Sequence, residues 1–432
     1  MRIVFLTQYY PPEIGAAQNR LWNLAQRLAG HGHSVSVVTA LPTYPRGRIF
    51  EEYRRRVIHE TMEGPVRVIR AWCYGTKSTR FIPRVLNYIS FVATSLLFAI
   101  WKLPSQDFVI LESPPLFLGI AGLILSRLKR APLLTNVSDL WPESAVAVGV
   151  IREGALLRCA VKFEEYLYRR SALITGQSVS IVDNIAKRIN NNNVTFLPNG
   201  ISPEVILSEN QRRDARWETR RRFGIGNGFV VGYTGLHGLA QGLDTILEAA
   251  KILKAEPEIS FALVGDGPEK ERLMACAQKL GLTNVRFYPP QPAADMPKVF
   301  SALDVAIIPL RRHPVFRGVL PSKLFESMGA GLPVILSGEG EAAELVERAG
   351  AGICVEPESP ACVAEAVRKL FRHPELCWNY GNNGSRHVLK NFNRADIAAR
   401  LSTILTSETA TPLPGEGVGQ ARKSIGAGAG HD

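Results

Sequence analysis

The sequence contains few cysteines, and their spacing offers no shared chemistry. None of the six belongs to a Cys-x-x-Cys pair or to a zinc-binding pattern. This spacing argues against a thiolate metal site and against a disulfide framework. It indicates a reducing compartment in which the thiols are small buried side chains. The six are Cys73, Cys159, Cys276, Cys354, Cys362 and Cys377.

Other patterns are missing as well. The segment RIVFLT at 2–7 already reads as a strand, so we expect no secretory leader ahead of the fold. No Asp-x-Asp signature requires a metal ion, the loop after the first strand is not a Gly-x-Gly-x-x-Gly fingerprint, and no nucleic-acid recognition motif is visible. We therefore expect no metal, no cofactor and no nucleic-acid partner.

Acidic residues are scarce in the first half of the chain. Residues 1–200 contain 24 Lys and Arg against 13 Asp and Glu, a net charge of +11. The totals of 51 and 39 leave 27 against 26 for residues 201–432, a net charge of +1. The basic excess of the first half suits an anionic partner such as a membrane surface. It includes Arg46, Arg48, Arg54, Arg55 and Arg56.

Short apolar runs alternate with helical patterns along the chain. Seven runs predict strands in the first half and six in the second, so each half should hold a mostly parallel sheet covered by helices on both faces. The runs are 2–7, 34–40, 66–72, 108–113, 132–139, 172–178 and 194–200, then 229–235, 259–267, 285–289, 305–310, 333–338 and 352–357.

This order predicts two doubly wound α/β domains, at 1–200 and 201–385, joined near 199–228. A helix at 386–405 can pack back on the first domain. The Gly- and Pro-rich tail at 406–432 is expected to be disordered. Ligands of such sheets bind at the carboxyl ends of the strands.

Two loops at strand ends carry glycines that could approach a ligand. Gly15 lies in QYYPPEIGAAQN at 8–19, and Gly265 and Gly267 lie in the GDGP turn. Each loop leads into a helix, whose first N–H groups can bind an anion. A structural turn explains each loop about as well.

The segment PSKLFESMGAGLPVI at 321–335 offers a stronger anion site. Ser322 or Pro321 begins a helix on which Lys323 and Glu326 share one face. Arginines on the preceding loop, above all Arg317, add positive charge that suits a diphosphate. Glu326 could accept hydrogen bonds from ribose or sugar hydroxyls. A solvated Lys–Glu pair is the alternative. The other basic residues of that loop are Arg311, Arg312 and His313.

Taken together and in order, several segments resemble the retaining glycosyltransferases of family four, which have the GT-B fold. The resemblance covers almost all of residues 1–400, and within the family it is to enzymes that assemble bacterial surface polysaccharides of the colanic-acid and O-antigen kind. The segments are TQYYPPEIGAAQNRLWNLAQRLAGHGHSVSVVTA, ESPP, SDLWPES, LPNGI, YTGLHGLAQGLDTILEAA, LVGDGP and PSKLFESMGAGLPVI.

The resemblance implies an α/β GT-B architecture, in which two Rossmann-like domains face a central cleft. It implies that the second domain holds most of a nucleotide-sugar donor and the first domain most of the acceptor. Glu326 corresponds to the second glutamate of the family's E-x7-E motif and would contact the donor ribose. Gly15 would be the small residue that approaches the donor phosphates.

The sequence departs from the family pattern at two places. Gly318 replaces the first glutamate of the motif, and the arginine–lysine pair that binds the diphosphate would fall near Leu236 and Gln241, neither of which is basic. We therefore assign the phosphate charge to Lys323 and Arg317, with Ser322 beside them, on charge and position alone.

Two further residues keep two interpretations each. Asp139 in SDLWPES could orient or deprotonate the acceptor hydroxyl, or it could cap a helix. His237 could contact phosphate or sugar, although a structural histidine is favoured. The resemblance implies a front-face displacement, so catalysis would consist of positioning and of stabilising the leaving diphosphate, a catalytic role that we give to Lys323.

The segment VLNYISFVATSLLFAIWKL at 85–103 is long enough to test as a membrane span. A polar arc interrupted by Phe91, Phe98 and Trp101 predicts instead a helix that lies on the membrane surface. A span would also split one sheet across the bilayer. Covering the parallel sheet is the alternative interpretation for 85–103, and it is the one that we favour for the similar segment at 115–130. The polar arc consists of Arg80, Arg84, Asn87, Ser90, Thr94, Ser95 and Lys102.

These patterns predict a cytoplasmic glycosyltransferase that is attached peripherally to the inner face of the cytoplasmic membrane. It would move a hexosyl, N-acetylhexosaminyl or deoxyhexosyl group from a nucleotide-diphosphate donor to a polyprenyl-linked saccharide. Two alternatives remain. One is a nucleotide-sugar 2-epimerase of the same architecture. The other is a non-catalytic membrane-bound subunit of an assembly complex, which the two motif departures suggest.

Overall fold

The structure is a computed structural model that describes residues 1–44, 47–78, 81–149, 154–190 and 193–409. Arg46 and Arg80, which contributed to the predicted basic surface and polar arc, lie outside the described residues. So does the part of the predicted tail at 410–432.

The first sheet has eight strands in the order β3-β4-β2-β1-β5-β6-β7-β8. All neighbours are parallel except β3 and β4. The central strands are buried on both faces, which is why their sequences read as continuous apolar runs. The strands are β1 Arg2–Leu6, β2 Ser34–Ala40, β3 Ile58–Glu63, β4 Val66–Ala71, β5 Phe108–Ser113, β6 Leu133–Val137, β7 Leu173–Gly176 and β8 Val194–Phe196.

The edge strand β3 was not predicted. Its sequence IHETME is largely polar and half-exposed, because it pairs on one side only, antiparallel to β4. The tight turn between the two strands contains Gly64, whose φ of 58° is in the left-handed region that favours glycine. An antiparallel edge strand needs no continuous apolar run, so the pattern used for the other strands could not reveal it.

The second sheet has six parallel strands in the order β11-β10-β9-β12-β13-β14. All six coincide with the predicted runs. They are β9 Phe229–Thr234, β10 Ile259–Val264, β11 Val285–Tyr288, β12 Val305–Pro309, β13 Val334–Ser337 and β14 Gly352–Val355. Both sheets therefore have the doubly wound form, in which ligands bind at the carboxyl ends of the strands.

Helices cover both faces of each sheet and complete separate cores. They are α1 Ala16–Gly30, α2 Phe81–Lys102, α3 Leu118–Lys129, α4 Glu143–Ala147, α5 Ala155–Arg170, α6 Val179–Ile189, α7 Glu209–Phe223, α8 Asp244–Ile252, α9 Lys270–Lys279, α10 Met296–Ser301, α11 Ser322–Gly329, α12 Glu341–Ala349, α13 Pro360–Arg372, α14 Pro374–Asn391 and α15 Arg394–Thr409. Short 3-10 turns lie at 51–53, 203–205, 239–241, 293–295 and 314–318.

The end of the described chain returns to the first sheet. Instead of one helix at 386–405, α14 ends at Asn391 and α15 begins at Arg394, with Asn393 bridging to Ile201 between them. Leu401 and Leu405 of α15 join the core cluster beneath β1 and pack near α1. Residues 406–409, which we expected in the disordered tail, form the last turn of α15.

Candidate active site

The helix α11 carries the predicted lysine and glutamate at the strand ends of the second sheet. Pro321 has an extended ψ of 134° and precedes the helix, so Ser322 is its first residue. Leu324, Phe325 and Met328 on one face of α11 are buried in the core. The other face presents Lys323 and Glu326, whose charges act on each other.

Lys323 is held against Tyr233, a fully buried residue of β9. The Lys323 Nζ atom donates a hydrogen bond of 2.6 Å to the phenol oxygen, which itself donates to the Leu236 carbonyl at 2.5 Å. Burial lowers the pKa of Lys323 to about 7, although the nearby Glu326 carboxylate opposes this shift. Gly235, with φ of 121°, leaves room for the ammonium, because a Cβ there would lie 3.2 Å from Nζ.

Glu326 faces a cation that sequence reasoning missed. Burial raises the pKa of Glu326, while the charges of Arg394 and Lys323 lower it. Arg394 is the first residue of α15, so the returning helix brings its guanidinium to the glutamate. The Arg394 Nε atom has no hydrogen-bond partner among the described residues. Nothing in the local sequence could have linked two residues so far apart in the chain.

A pocket opens beside Arg394, where α15 returns to the first domain. Its lining also includes Arg20 of α1 and Asn136 of β6. Arg20 pairs with the buried Glu112 at 2.5 Å, and Asn136 donates to the same carboxylate at 2.6 Å. The sequence does carry a signal for this network, because Glu112 is a charged residue inside the buried strand FVILES.

Gly265 and Gly267 allow two loops of the second domain to meet. Their φ values are 154° and 156°, and a Cβ at either would lie within 2.4 Å of the backbone oxygen of Gly235 or His237. The His237 N–H donates to the Asp266 carbonyl at 2.8 Å. Loop packing therefore accounts for both glycines, and their predicted contact with the donor stays a prediction.

His237 keeps the two interpretations that the sequence allowed, because its side chain is buried but its ring nitrogens are unpaired among the described residues. Burial lowers the pKa of His237 to about 4, with Lys270 and Lys323 acting in the same direction. The ring is therefore neutral at physiological pH.

Two of the three arginines of the loop before α11, Arg317 and Arg311, differ in their contacts. The Arg317 side chain is 65% exposed and forms an ion pair with Glu339 at 3.4 Å, so the described contact turns it to Glu339 rather than to Lys323. Arg311 instead lies beside residues 239–242. Its N–H donates to the Ala240 carbonyl at 3.0 Å, and a Cβ on Gly242 would lie 3.1 Å from its side chain.

Gly318, where the family has a glutamate, lies at a contact between the domains. A Cβ there would lie 2.7 Å from the Cβ of Ser180, at the start of α6. Glu341 of α12 also meets this helix end and accepts hydrogen bonds from the Val179 N–H at 2.8 Å, the Ser180 N–H at 2.9 Å and the Ser180 hydroxyl at 2.8 Å. Close approach of the two domains thus explains the glycine.

The first domain places Gly15 and Asp139 at its strand ends. Gly15 immediately precedes α1 with an extended backbone, and a Cβ there would lie 2.3 Å from the Gln18 amide oxygen. Asp139 follows β6 at the entrance to α4. Burial raises its pKa, while hydrogen bonds from the Ser144 side chain and the Leu140 N–H lower it. Pro142 and not Asp139 occupies the N-cap position of α4, so both interpretations of Asp139 stay predictions.

The long helix α2 presents its apolar side outward. Asn87 and Thr94 of the polar arc donate to the carbonyls of Tyr74 and Trp72 at 2.7 Å and 2.6 Å. Phe91 and Phe98, which interrupt the arc, are buried in the core. Exposed apolar side chains of α2 are Ile82, Leu86, Ile89, Leu97, Ile100 and Trp101.

The neighbouring helix α3 continues this surface. Its inner side, including Leu118, Ala121 and Leu125, covers the sheet as expected. Its outer side exposes Ile120, Ile124 and Leu128 next to α2. We call the exposed apolar residues of both helices the apolar face.

Within the described ranges, no group of three or more His, Cys, Asp and Glu side chains is arranged to hold a metal ion.

Comparison with known protein families identifies the family to which the chain belongs. Residues 15–200 match the family model for the glycosyl transferase 4-like domain, and residues 215–387 match that for glycosyl transferases group 1. The chain is a glycosyltransferase with the GT-B fold.

Individual relatives agree with this family. The chain is similar to the colanic acid biosynthesis glycosyl transferase WcaI of Escherichia coli (strain K12). The two are 29% identical across 91% of this chain and 98% of WcaI. Sucrose-phosphate synthase from Thermosynechococcus elongatus superposes with a TM-score of 0.76 at 18% identity, across 95% of this chain and 99% of that one. Anabaena HepE, solved with UDP-glucose, gives a TM-score of 0.71 at 19% identity, across 94% of this chain and 100% of that one.

Proposed function

We propose that this glycosyltransferase moves a sugar, with retention, from a nucleotide-diphosphate donor to a polyprenyl-linked saccharide of a bacterial surface polysaccharide. The observation that carries the proposal is the arrangement of Lys323 and Glu326 at the start of α11. A partly desolvated ammonium beside a helix N-terminus suits a diphosphate, and a carboxylate one turn later suits the ribose hydroxyls.

The donor charge is then met by cations that replace the missing family pair. Lys323 would stabilise the leaving diphosphate. The Tyr233 hydroxyl holds its ammonium in place but is neutral, so the positive charge of Lys323 can act on the diphosphate. Arg311 lies beside residues 239–242, close to the position where the family has lysine and this chain has Gln241. We therefore add Arg311 to the proposed donor site, with Arg317 as the more distant candidate.

The chemical step would be a front-face displacement in which the nucleotide diphosphate leaves as the acceptor hydroxyl attacks. The leaving oxygen would take up the hydroxyl proton, so no protein nucleophile is needed. Asp139 would orient the acceptor hydroxyl from the first domain. Such catalysis depends on positioning and on the charge that meets the diphosphate.

The acceptor would be a lipid that the protein reaches from the membrane surface. The apolar face of α2 and α3 is flanked by positive charge from Arg84 on α2 and from Arg127 and Arg130 at the end of α3. Apolar residues surrounded by cations fit the boundary of an anionic membrane. We propose that this face attaches the protein peripherally to the inner side of the cytoplasmic membrane.

By length and composition α2 could also cross a membrane, since residues Ile82–Lys102 form a long apolar helix. However, Phe91, Phe98 and Ala99 belong to the core beneath the first sheet. The strands on either side of α2, β4 and β5, lie in that same sheet. Both observations favour a helix that lies in the membrane surface.

A donor screen tests the proposal. Purified protein in detergent would be mixed with a panel of UDP-, GDP- and dTDP-sugars and a bacterial lipid extract, and nucleotide release would be followed. Release that requires one donor and lipid, and that Lys323→Ala abolishes, is the expected result. Interconversion of the donor with its 2-epimer, without lipid, would support the epimerase. If the protein releases no nucleotide and calorimetry detects no binding of any donor, the result favours the non-catalytic subunit that Gly318 suggests.

A further inference from the structure

Five aromatic side chains form a row across the carboxyl ends of four neighbouring strands of the first sheet. Tyr44 follows β2, Tyr9 follows β1, Phe117 follows β5 and Trp141 follows β6, while Tyr88 of α2 completes the row. The strand order places these ends side by side. The row therefore lies along the edge at which ligands of such sheets bind.

The rings contact one another in sequence. The ring centroids of Tyr44 and Tyr9 are 6.3 Å apart, those of Tyr88 and Phe117 are 6.2 Å apart, and those of Phe117 and Trp141 are 6.4 Å apart. Gln8, the residue before Tyr9, donates a hydrogen bond of 2.7 Å to Asn87, the residue before Tyr88, which brings the two groups of rings next to each other. The row thus consists of a pair, Tyr44 and Tyr9, beside a group of three, Tyr88, Phe117 and Trp141.

These rings are more accessible than the fully enclosed aromatic residues of the core, although Trp141 also packs against that core. Phe91 and Phe98 of the same helix as Tyr88 are buried, whereas all five members of the row remain partly exposed. Partly exposed rings that support one another at a strand-end edge provide a rigid surface on which a ligand can stack.

A buried polar atom adjoins the row. Gln8, the residue before Tyr9, is 3% exposed and donates to the Asn87 side chain at 2.7 Å. Its amide oxygen has no hydrogen-bond partner among the described residues. A ligand hydroxyl would satisfy this acceptor, which otherwise costs free energy.

The groups next to the two ends of the row indicate which ligand it binds. Tyr44 faces the second domain, where the charge of Asp266 in the GDGP turn helps to raise its pKa. Toward α2, Arg84 lies four residues before Tyr88 and so on the same face of that helix, and its positive charge acts on Tyr9. The row therefore connects the donor-side loop with the helix that carries the apolar face.

We propose that this row is the binding site for the saccharide of a diphosphate-linked lipid acceptor. The sugar rings stack on the aromatic faces, a sugar hydroxyl donates to the Gln8 amide oxygen, and the Arg84 guanidinium meets the diphosphate that joins sugar to lipid. This inference rests on the proposed function for the class of acceptor, and it adds where that acceptor binds.

The test measures binding of two probes to the full chain in detergent by calorimetry. The probes are farnesyl diphosphate and farnesyl-diphosphate-linked N-acetylglucosamine. We expect the wild type to bind the saccharide-bearing probe more tightly. Tyr88→Leu and Phe117→Leu should each weaken the binding of the saccharide-bearing probe by about five- to tenfold and leave the binding of farnesyl diphosphate unchanged. Tyr88→Phe keeps the ring and should restore binding.

Phe223→Leu is a matched control, because it removes one ring from a stacked pair in the second domain, 4.5 Å from Tyr288. Equal binding of the two probes by the wild type, or unchanged binding by both leucine variants, would overturn the site. Nucleotide release is measured separately. A protein that binds the saccharide probe through the row but releases no nucleotide with any donor would overturn the proposed function alone.

Discussion

The Lys323 ammonium donates a hydrogen bond of 2.6 Å to the Tyr233 hydroxyl, and that hydroxyl donates its own hydrogen bond to the Leu236 carbonyl. The close partner of this cation is therefore neutral. Glu326 lies one turn further along α11 and exerts only a secondary effect on the pKa of Lys323. A cation that is partly desolvated and held by a neutral donor–acceptor chain is prepared to gain an anionic ligand.

The first prediction concerns the pH dependence of donor binding. The free protein has Lys323 with a pKa of about 7, so its charge is present below pH 7 and is lost as the pH rises above it. A nucleotide-sugar has no phosphate group that titrates in this range. Its Kd should therefore be constant near pH 6 and rise by up to tenfold per pH unit above about pH 7.5.

Calorimetry between pH 5.5 and pH 9 measures this profile, and Lys323→Arg provides the control. Arginine stays charged throughout, so the variant should show a flat profile even if its affinity is lower. A flat wild-type profile would show that Lys323 does not bind the donor phosphates.

The same burial predicts a cost in stability. The pKa of Lys323 is lower in the folded protein than in the unfolded chain, so the unfolded chain holds more protons between pH 7 and pH 10.5 and stability rises with pH there. Below pH 7 the full cost of the buried charge applies. Lys323→Met should therefore stabilise the protein at pH 6 by on the order of 2 kcal/mol, and by less at pH 9.

Thermal unfolding at the two pH values measures this difference. Lys279→Met, on the surface helix α9, is the matched control and should change little at either pH. A destabilised Lys323→Met variant at pH 6 would mean that the bond to Tyr233 outweighs the desolvation of the ammonium.

The sequence predicted the sheets well because parallel strands buried on both faces must be apolar throughout. It predicted the start of α11 because Pro-Ser before an apolar stripe is a helix-start signal. It could not predict that the charge of Arg394 acts on Glu326, which depends on the return of α15. For α2, hydropathy does not reveal that Asn87 and Thr94 bond to the backbone after β4, so the apolar side is the one that is exposed.

Glu341 should hold the two domains together. Its carboxylate accepts three hydrogen bonds at the first turn of α6, where the helix dipole also favours negative charge. Glu341→Ala should cost about 1–3 kcal/mol of this contact, open the cleft and lower kcat. Small-angle scattering would detect a larger radius of gyration.

Glu339→Ala is the comparison for that variant, since Glu339 pairs with the exposed Arg317 within the second domain. It should leave the radius of gyration unchanged. If Glu341→Ala has the same radius of gyration and the same kcat as the wild type, the contact with α6 does not determine the domain arrangement.

Membrane attachment should depend on the apolar face rather than on exposed aromatic residues in general. Trp101 of α2 and Trp378 of α14 are almost equally exposed, at 69% and 71%, but only Trp101 belongs to the apolar face. Trp101→Gln should weaken flotation with anionic vesicles by roughly tenfold, because one large ring no longer enters the lipid boundary. Trp378→Gln should float as the wild type does. Both variants should keep their unfolding temperature, since each side chain is mostly in water. An equal loss of vesicle binding in the two variants would mean that α2 does not contact the membrane.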